Sequence, residues 1–146
     1  ESVFNQSLVP DEVVLMEDGP LTDELEQTIS ELKKRHPQIV TLFFAENVQL
    51  GRALAKGVEL CSHELIARMD TDDIAVYDRF RHQHDYMTAH PTVAVCGGWM
   101  QEFNDEGTYS RRKQMPQSNE EIRRYGKYRN PVNHMTVMFR RQAVLT

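Results

Sequence analysis

Short apolar runs alternate along the chain with longer stretches of helical spacing. The first apolar run covers 12–16, and in the stretch 22–37 that follows, Leu25, Ile29 and Leu32 recur at the spacing of one helix face. An acidic turn with glycine and proline separates the two. The pattern predicts a buried strand, a turn and an amphipathic helix, in that order.

The same alternation continues to the end of the chain. β-branched runs, helix-forming composition and glycine or proline breaks define the further elements. In chain order we predict the end of a helix at 2–7, strands at 39–44, 63–69, 93–95 and 132–139, and helices at 53–60 and 80–89. The polar segment 104–119 is predicted to be a mobile loop. Helices between strands indicate an α/β fold with a mostly parallel sheet flanked by helices, whose ligands bind at the carboxyl ends of strands.

Length, charge and cysteine content narrow the class of protein. A chain of 146 residues that is 40% hydrophobic suits one domain or part of one. The formal net charge of -5 argues against a nucleic-acid-binding surface. Cys61 and Cys96 are too far apart in sequence to indicate a thiolate metal site, and no apolar run approaches the ~20 residues of a membrane span. We expect a soluble chain without a targeting segment.

Two acidic clusters follow predicted strands. One is Glu17-Asp18, and the other contains Asp70, Asp72 and Asp73. Three adjacent carboxylates repel one another unless a cation lies among them, and Mg²⁺ or Mn²⁺ with a substrate diphosphate suits so sparse a set of ligands. A solvated turn with a helix cap is the alternative for an isolated Asp-x-Asp.

Three blocks of sequence carry a family resemblance. They contain Glu12-Val13-Val14-Leu15 with Glu17-Asp18-Gly19, then Ala67-Arg68-Met69-Asp70-Thr71-Asp72-Asp73-Ile74, then Asn130-Pro131-Val132-Asn133-His134-Met135-Thr136-Val137-Met138-Phe139-Arg140. In this order they resemble glycosyltransferase family 2, in particular bacterial capsule, exopolysaccharide and lipopolysaccharide glycosyltransferases. The middle block is the most specific, and the resemblance spans nearly the whole chain.

The resemblance implies a GT-A fold and metal-dependent transfer, with inversion, from a nucleotide-diphosphate sugar to a hydroxyl of a glycan or lipid-linked glycan. Uridine is the default base of the donor. Residues 1–146 would form a single partial domain, with the first strand before Glu1 and the acidic catalytic base beyond Thr146, so the chain alone should be inactive. The implied setting is bacterial surface-polysaccharide synthesis in the cytoplasm, with peripheral association at the inner face of the membrane.

The resemblance also assigns roles to the acidic residues. Glu17 and Asp18 would contact the base or ribose of the donor. Asp70 and Asp72 would contact the ribose and the metal ion. Asp72 is the first candidate for a metal ligand and Asp73 the second.

Three further residues are candidates on their own chemistry. Arg52 and Arg68 could bind the donor diphosphate, and the alternative for each is an ion pair with a nearby carboxylate. His134 lies in a predicted strand, so its side chain would share a face with those of Val132 and Thr136 and could approach the acceptor or the diphosphate.

Two other functions remain open. A noncatalytic module could use the same carboxylates to bind a nucleotide or a partner protein. A sugar-nucleotide nucleotidyltransferase would also combine an α/β sheet with a metal ion, but it should carry a glycine-rich phosphate loop near its start, and the sequence contains none.

Overall fold

The computed structural model describes residues 1–107 and 109–145, without the side chains of Ser110 and Arg111. The chain forms two compact units. The first unit consists of Glu1–Leu8 and Ala67–Arg140, and the second consists of Val9–Ile66 together with the residues from Arg141 onward.

The second unit is built on a strand-helix-strand motif. Its elements are β1 (Val13–Asp18), α1 (Asp23–Arg35), β2 (Ile39–Phe44) and α2 (Leu50–Leu60). Strands β1 and β2 pair in parallel, with Val13 opposite Ile39 and Asp18 opposite Phe44. Helix α2 packs closely on β1, because a Cβ at Gly57 would lie 3.0 Å from Met16 Sδ. This parallel pair is the part of the predicted α/β sheet that the second unit contains.

The start and end of α1 follow from its sequence. The Thr22 hydroxyl accepts a hydrogen bond from Leu25 N at 3.4 Å and caps the helix. Acidic residues occupy the first turn, and Lys33, Lys34 and Arg35 occupy the last. Both sets complement the helix dipole, and the helix ends just before Pro37.

The first unit combines one long helix with short strands. Its elements are the Ala67 end of β3 (Leu65–Ala67), α3 (Arg79–Ala89), β4 (Val95–Cys96), β5 (Met100–Phe103), β6 (Tyr109–Lys113), α4 (Asn119–Tyr125), a 3-10 turn (His134–Thr136) and β7 (Met138–Arg140). Strand β7 pairs antiparallel with β4, and β5 pairs antiparallel with β6. On its other side β7 lies beside the Ala67 end of β3, where Arg68 N donates to Val137 O at 2.9 Å.

The core of the first unit forms around α3. Phe80, Gln83 and Met87 recur at helical spacing and are buried, and Met87 is completely enclosed. The N-terminal turn closes this core from one side, because the Gln6 amide donates to Val76 O at 2.9 Å and accepts from Phe80 N at 3.1 Å. The segment after the aspartates is thereby fixed at two points.

Several predicted elements are confirmed. Strand β2 has the predicted bounds, and α1, α2, α3 and β1 lie within two or three residues of their predicted positions. Strand β1 extends to Asp18, so Glu17 and Asp18 are its last residues and the turn begins at Gly19. None of the described helices combines the length and the apolar character that crossing a membrane requires.

Three predicted elements are wrong. Residues 2–7 form turns and bends instead of a helix end. The segment predicted as a loop contains β6 and the start of α4, and its partner strand β5 was not predicted at all. The predicted strand 132–139 is a 3-10 turn followed by β7, because the Thr136 hydroxyl donates to Asn133 O at 2.8 Å and favours a turn over an extended chain.

Candidate functional site

Asp70 to Asp73, called the acidic loop below, lie just beyond the end of β3. The loop turns sharply, with Asp73 N donating to Asp70 O at 3.3 Å. One carboxylate oxygen from each of Asp70, Asp72 and Asp73 lies within 4.8 Å of the other two. The structure therefore brings together the three carboxylates that the sequence singled out.

The three carboxylates differ in their surroundings. Asp72 is exposed, whereas Asp70 is half-buried and forms an ion pair with the nearly buried Arg68. Asp73 Oδ2 is buried, and none of the described residues donates a hydrogen bond to it. Burial raises the pKa of the Asp73 carboxyl, and the negative charges of Asp70 and Asp72 raise it further against the opposing effect of two arginines. The acidic loop thus has more negative charge than its own hydrogen bonds and ion pair neutralise.

These residues fit a divalent cation. Carboxylate oxygens are the ligands that Mg²⁺ and Mn²⁺ prefer, and a buried oxygen without a partner is costly unless something binds it. Asp73 supplies that oxygen, and the exposed Asp72 supplies a second that needs no desolvation on the protein side. Asp70 already shares its charge with Arg68, so it is the weakest of the three ligands.

Arg79, in the first turn of α3, ties the acidic loop to the rest of the first unit. Its guanidinium donates to Arg68 O at 2.7 Å, contacts Met69 Sδ at 3.1 Å and donates to Gln83 Oε1 at 3.0 Å. Burial lowers the pKa of Arg79 to about 10, although the charge of Asp73 partly opposes this shift. A half-buried arginine that remains cationic and well hydrogen-bonded fixes the backbone directly before Asp70.

The contacts of Arg79 continue across the unit. Gln83 Nε2 donates to Thr136 O at 2.8 Å, and the Thr136 hydroxyl accepts from Gly98 N at 3.0 Å. Arg79, Gln83 and Thr136, called the Arg79 clamp below, join the acidic loop, α3 and the segment before β7. The 3-10 turn that begins at His134 is therefore fixed by the same network as the acidic loop.

A second group of polar residues lies at the carboxyl end of β1 in the second unit. Asp18 Oδ1 accepts from Val48 N at 2.7 Å, and Asn47 Nδ2 donates to Asp18 O at 3.3 Å. Gly19 has a φ of 113°, and a Cβ there would lie 3.3 Å from Asn47 N. Gln49, just before α2, has a φ of 72° and a ψ of 149°. We call Asp18, Gly19 and Asn47–Gln49 the Asp18 turn.

The other predicted site residues have varied positions. Glu17 is half-buried in β1, and Arg52 is exposed in the first turn of α2. Arg68 is paired with Asp70, which is the alternative to a diphosphate contact. His134 is exposed, but it begins a 3-10 turn, so the prediction that it shares a strand face with Val132 and Thr136 is wrong. Contacts of Glu17, Asp18, Arg52, Arg68 and His134 with a donor or acceptor stay predictions.

Sequence reasoning assigned no role to Arg79 and Gln83. A signal for them was present, because an arginine and a glutamine four residues apart face the same side of a helix and can pair. Their position at the start of the helix that follows the aspartates makes such a pair a candidate support for the loop. Thr136, which accepts a hydrogen bond from Gln83, lies 53 residues away in sequence, so a local sequence pattern could not identify it.

Comparisons with known proteins give a consistent result. The family model for glycosyl transferase family 2 matches residues 1–146. The amylovoran biosynthesis glycosyltransferase AmsE of Erwinia amylovora is 40% identical over 146 residues, which is 100% of this chain and 54% of that protein. The UDP-Gal:alpha-D-GlcNAc-diphosphoundecaprenol beta-1,3-galactosyltransferase of Escherichia coli is 34% identical over 146 residues, 99% of this chain and 52% of that protein. The chain spans about half the length of these curated relatives.

Proposed function

This chain belongs to glycosyl transferase family 2 and has the GT-A fold of that family, and from this premise we propose that it binds the donor in a metal-dependent, inverting sugar transferase. The donor is a nucleotide-diphosphate sugar, with a UDP-sugar as the first candidate. The acceptor is a hydroxyl of a glycan or lipid-linked glycan. The setting is bacterial surface-polysaccharide synthesis at the cytoplasmic face of the membrane.

One observation carries this proposal: the acidic loop has an unsatisfied, buried Asp73 oxygen next to the exposed carboxylate of Asp72. A structural turn would satisfy its carboxylates with backbone N–H groups, as Asp18 does with Val48 N. The acidic loop instead concentrates negative charge that a divalent cation would neutralise. The names of the relatives support the substrates, since one acts with UDP-Gal on a diphosphoundecaprenol-linked sugar.

The residues of this chain have distinct roles in the proposed reaction. Asp72 and Asp73 would hold a Mg²⁺ or Mn²⁺ ion, which, when bound, neutralises the charge that develops on the departing nucleotide diphosphate. Asp70, oriented by Arg68, contacts the ribose of the donor. The Arg79 clamp keeps the loop in one conformation, so the carboxylates need not reorganise when the donor binds.

At the second group of residues, Glu17 and Asp18 contact the nucleoside, Asp18 through the carboxylate oxygen that does not accept from Val48 N. Arg52 is exposed and is the first candidate for a contact with the diphosphate, and His134 is the candidate for an acceptor contact. The acceptor hydroxyl attacks the anomeric carbon as the bond to the diphosphate breaks, which inverts that carbon. The carboxylate that removes the proton of the hydroxyl is assigned to no residue of this chain.

The test is a calorimetric titration of the chain with UDP, with and without Mn²⁺. We expect binding that requires the metal and that weakens at least about tenfold in Asp72→Asn, because one ligand of a sparse site is lost. Asp85→Asn is the matched control, since Asp85 is an exposed carboxylate on α3 whose removal changes the net charge equally.

Each other outcome has a definite meaning. Metal-independent binding would contradict the metal role and favour a noncatalytic nucleotide-binding module. Equal binding by Asp72→Asn and Asp85→Asn would contradict the assignment of the acidic loop. Failure of the folded chain to bind UDP, GDP, CDP or dTDP in the presence of Mn²⁺ would contradict donor binding by this chain.

A further inference from the structure

The end of α4 and the turns after it form a cationic surface with exposed tyrosines. The segment 123–129 has the sequence Arg-Arg-Tyr-Gly-Lys-Tyr-Arg, and every residue in it is exposed. It contains four cations, two tyrosines and no acidic residue. Tyr128 is 84% exposed, more than any other large hydrophobic residue that the structure describes. We call residues 123–129 the basic-tyrosine segment.

Charge is distributed very unevenly around this segment. Residues 109–129 contain seven of the 17 lysines and arginines of the chain but only two of the 22 aspartates and glutamates. The chain as a whole is acidic, with a formal charge of -5. Since screening limits surface electrostatics to about 8 Å at physiological salt, the local positive charge determines what this surface attracts.

The cations of this segment are not used inside the protein. Among the described residues, Arg123, Arg124, Lys127 and Arg129 form no ion pair. Arg124 lowers the pKa of Glu121, but the larger causes of that shift are hydrogen bonds from Ser118. The four charges are therefore available to an external partner.

The segment is also held in a defined shape. A capping box of Ser118 and Glu121 fixes the start of α4. At the other end, Gly126 N donates to Ile122 O at 2.8 Å, and Arg129 N donates to Tyr125 O at 3.0 Å. These bonds continue helix-like turns through residue 129 and hold the four cations and two tyrosines on a short stretch of surface, so a partner need not order the segment on binding.

We propose that the basic-tyrosine segment docks the protein onto an anionic lipid surface. Phosphate headgroups complement the four cations, and tyrosine is enriched where proteins meet the membrane interface, because its ring is apolar and its hydroxyl is polar. A nucleic acid is the less suitable partner, because its phosphate backbone extends beyond a short basic segment. The rest of this chain is strongly acidic and would repel those further phosphates. The inference rests on the proposed function in one respect, since a lipid-linked acceptor places the reaction at a membrane.

The experiment is cosedimentation of the chain with vesicles of phosphatidylcholine alone or with 30% phosphatidylglycerol. Wild type should bind the anionic vesicles only, and 0.5 M NaCl should release it. Each cation near a membrane surface contributes roughly fivefold to partitioning, so R123Q/R124Q/K127Q/R129Q should bind at least about 100-fold more weakly. Tyr128→Ser should weaken binding by severalfold without changing its salt dependence.

The control variant is K33Q/K34Q/R35Q/K56Q, which removes four exposed cations of the second unit. It should bind anionic vesicles as wild type does, because the lost charges lie outside the segment. Equal losses in the two quadruple variants would overturn the proposal in favour of nonspecific charge attraction. Absence of wild-type binding to anionic vesicles at low salt would also overturn it.

Two further measurements distinguish a lipid surface from free phosphate and from nucleic acid. Inorganic phosphate at 10 mM should not displace the protein from vesicles, whereas displacement would indicate a site for free phosphate. Binding of an unstructured RNA with equal affinity and the same variant dependence would replace the lipid surface by a nucleic acid. Vesicle binding requires neither nucleotide nor metal, so these results stand apart from the UDP titration, which the quadruple variant of the segment should leave unchanged.

Discussion

Asp18 is the last residue of β1 and the acidic loop follows β3, so both lie at the carboxyl end of a strand, yet their carboxylates have opposite surroundings. Asp18 Oδ1 accepts a backbone hydrogen bond from Val48 N at 2.7 Å, which holds the turn before α2. Asp73 Oδ2 is buried without a donor among the described residues, and the carboxylates of Asp70 and Asp72 lie close to it. The first carboxylate contributes to folding, whereas the second is held at a cost to folding.

The difference shows that the residue type and a position at the carboxyl end of a strand do not determine the role of an aspartate. Hydrogen-bond satisfaction does, because a carboxylate with donors is stable by itself and one without donors requires a cation or a proton. In the Asp18 turn the donor is Val48 N, whereas no described residue supplies a donor to Asp73 Oδ2. Four predictions test this contrast, and each concerns stability measured by denaturant unfolding in the presence of EDTA.

The largest effect is expected from Arg79→Met, which removes the support of the acidic loop. The substitution leaves the carbonyl of Arg68 and the amide oxygen of Gln83 without their half-buried donor, so we expect a loss of about 2–4 kcal/mol in the free energy of unfolding. Arg81→Met, on the exposed face of the same helix, should cost less than about 1 kcal/mol. Equal losses would show that the clamp does not support the loop.

Asp18→Ala tests the comparison directly against Asp72→Ala. The first substitution leaves the partly buried Val48 N–H without an acceptor and should destabilise by about 1–2 kcal/mol. The second removes an exposed carboxylate from a repulsive cluster and should change stability by less than about 0.5 kcal/mol. If Asp72→Ala destabilised the chain as much as Asp18→Ala, the acidic loop would also be a structural turn.

Gln49→Gly examines strain in the Asp18 turn. Gln49 has dihedral angles that glycine adopts readily and other residues adopt at a cost. Glycine relieves that strain in the folded chain, and it also increases the conformational entropy of the unfolded chain, which opposes folding. We expect the first effect to be larger, so the free energy of unfolding should increase by about 1 kcal/mol. Gln114→Gly, at an exposed loop position, serves as the control and should lose roughly 0.5 kcal/mol. A loss at position 49 would mean that the glutamine side chain makes a stabilising contact there.

The smallest effect is expected from Asp73→Asn, and it depends on pH. The pKa of Asp73 is raised in the folded chain above its ordinary value of 3.8, so the folded state binds the proton more tightly than the unfolded state. This tighter proton binding contributes to stability at low pH. The contribution is lost as the pH rises through the pKa of Asp73 in the folded chain. Water screens much of the repulsion at this partly exposed group, so the variant should be more stable by less than about 1 kcal/mol at pH 7 and unchanged near pH 3.

Addition of Mn²⁺ in place of EDTA provides the complementary measurement. Wild type should gain stability with increasing Mn²⁺, since a ligand that binds only the folded state stabilises it. Asp73→Asn should gain much less. A destabilised Asp73→Asn in EDTA at pH 7 would contradict the repulsive environment that we assign to the acidic loop.

The sequence predicted the second unit better than the first. The elements α1 and β2 have strong local signals, namely a capping threonine, apolar residues at helical spacing and a β-branched run. In the first unit the hairpin of β5 and β6 was missed, because its exposed, polar residues lack the apolar alternation that identifies a strand. The 132–139 segment was assigned to a strand, because its composition is β-prone and the competing hydrogen bonds of Thr136 are not visible in a pattern.

The sequence by itself determined the family, the position of the three aspartates after a strand and the concentration of basic residues between 109 and 129. These features are local, since they depend on which residues are adjacent in the chain. The tertiary structure alone decided which carboxylates have hydrogen-bond partners, how Arg79 and Gln83 join the acidic loop to Thr136, and that His134 begins a 3-10 turn. The physical reason is that desolvation and hydrogen bonding depend on neighbours far away in sequence, and those neighbours exist only in the folded chain.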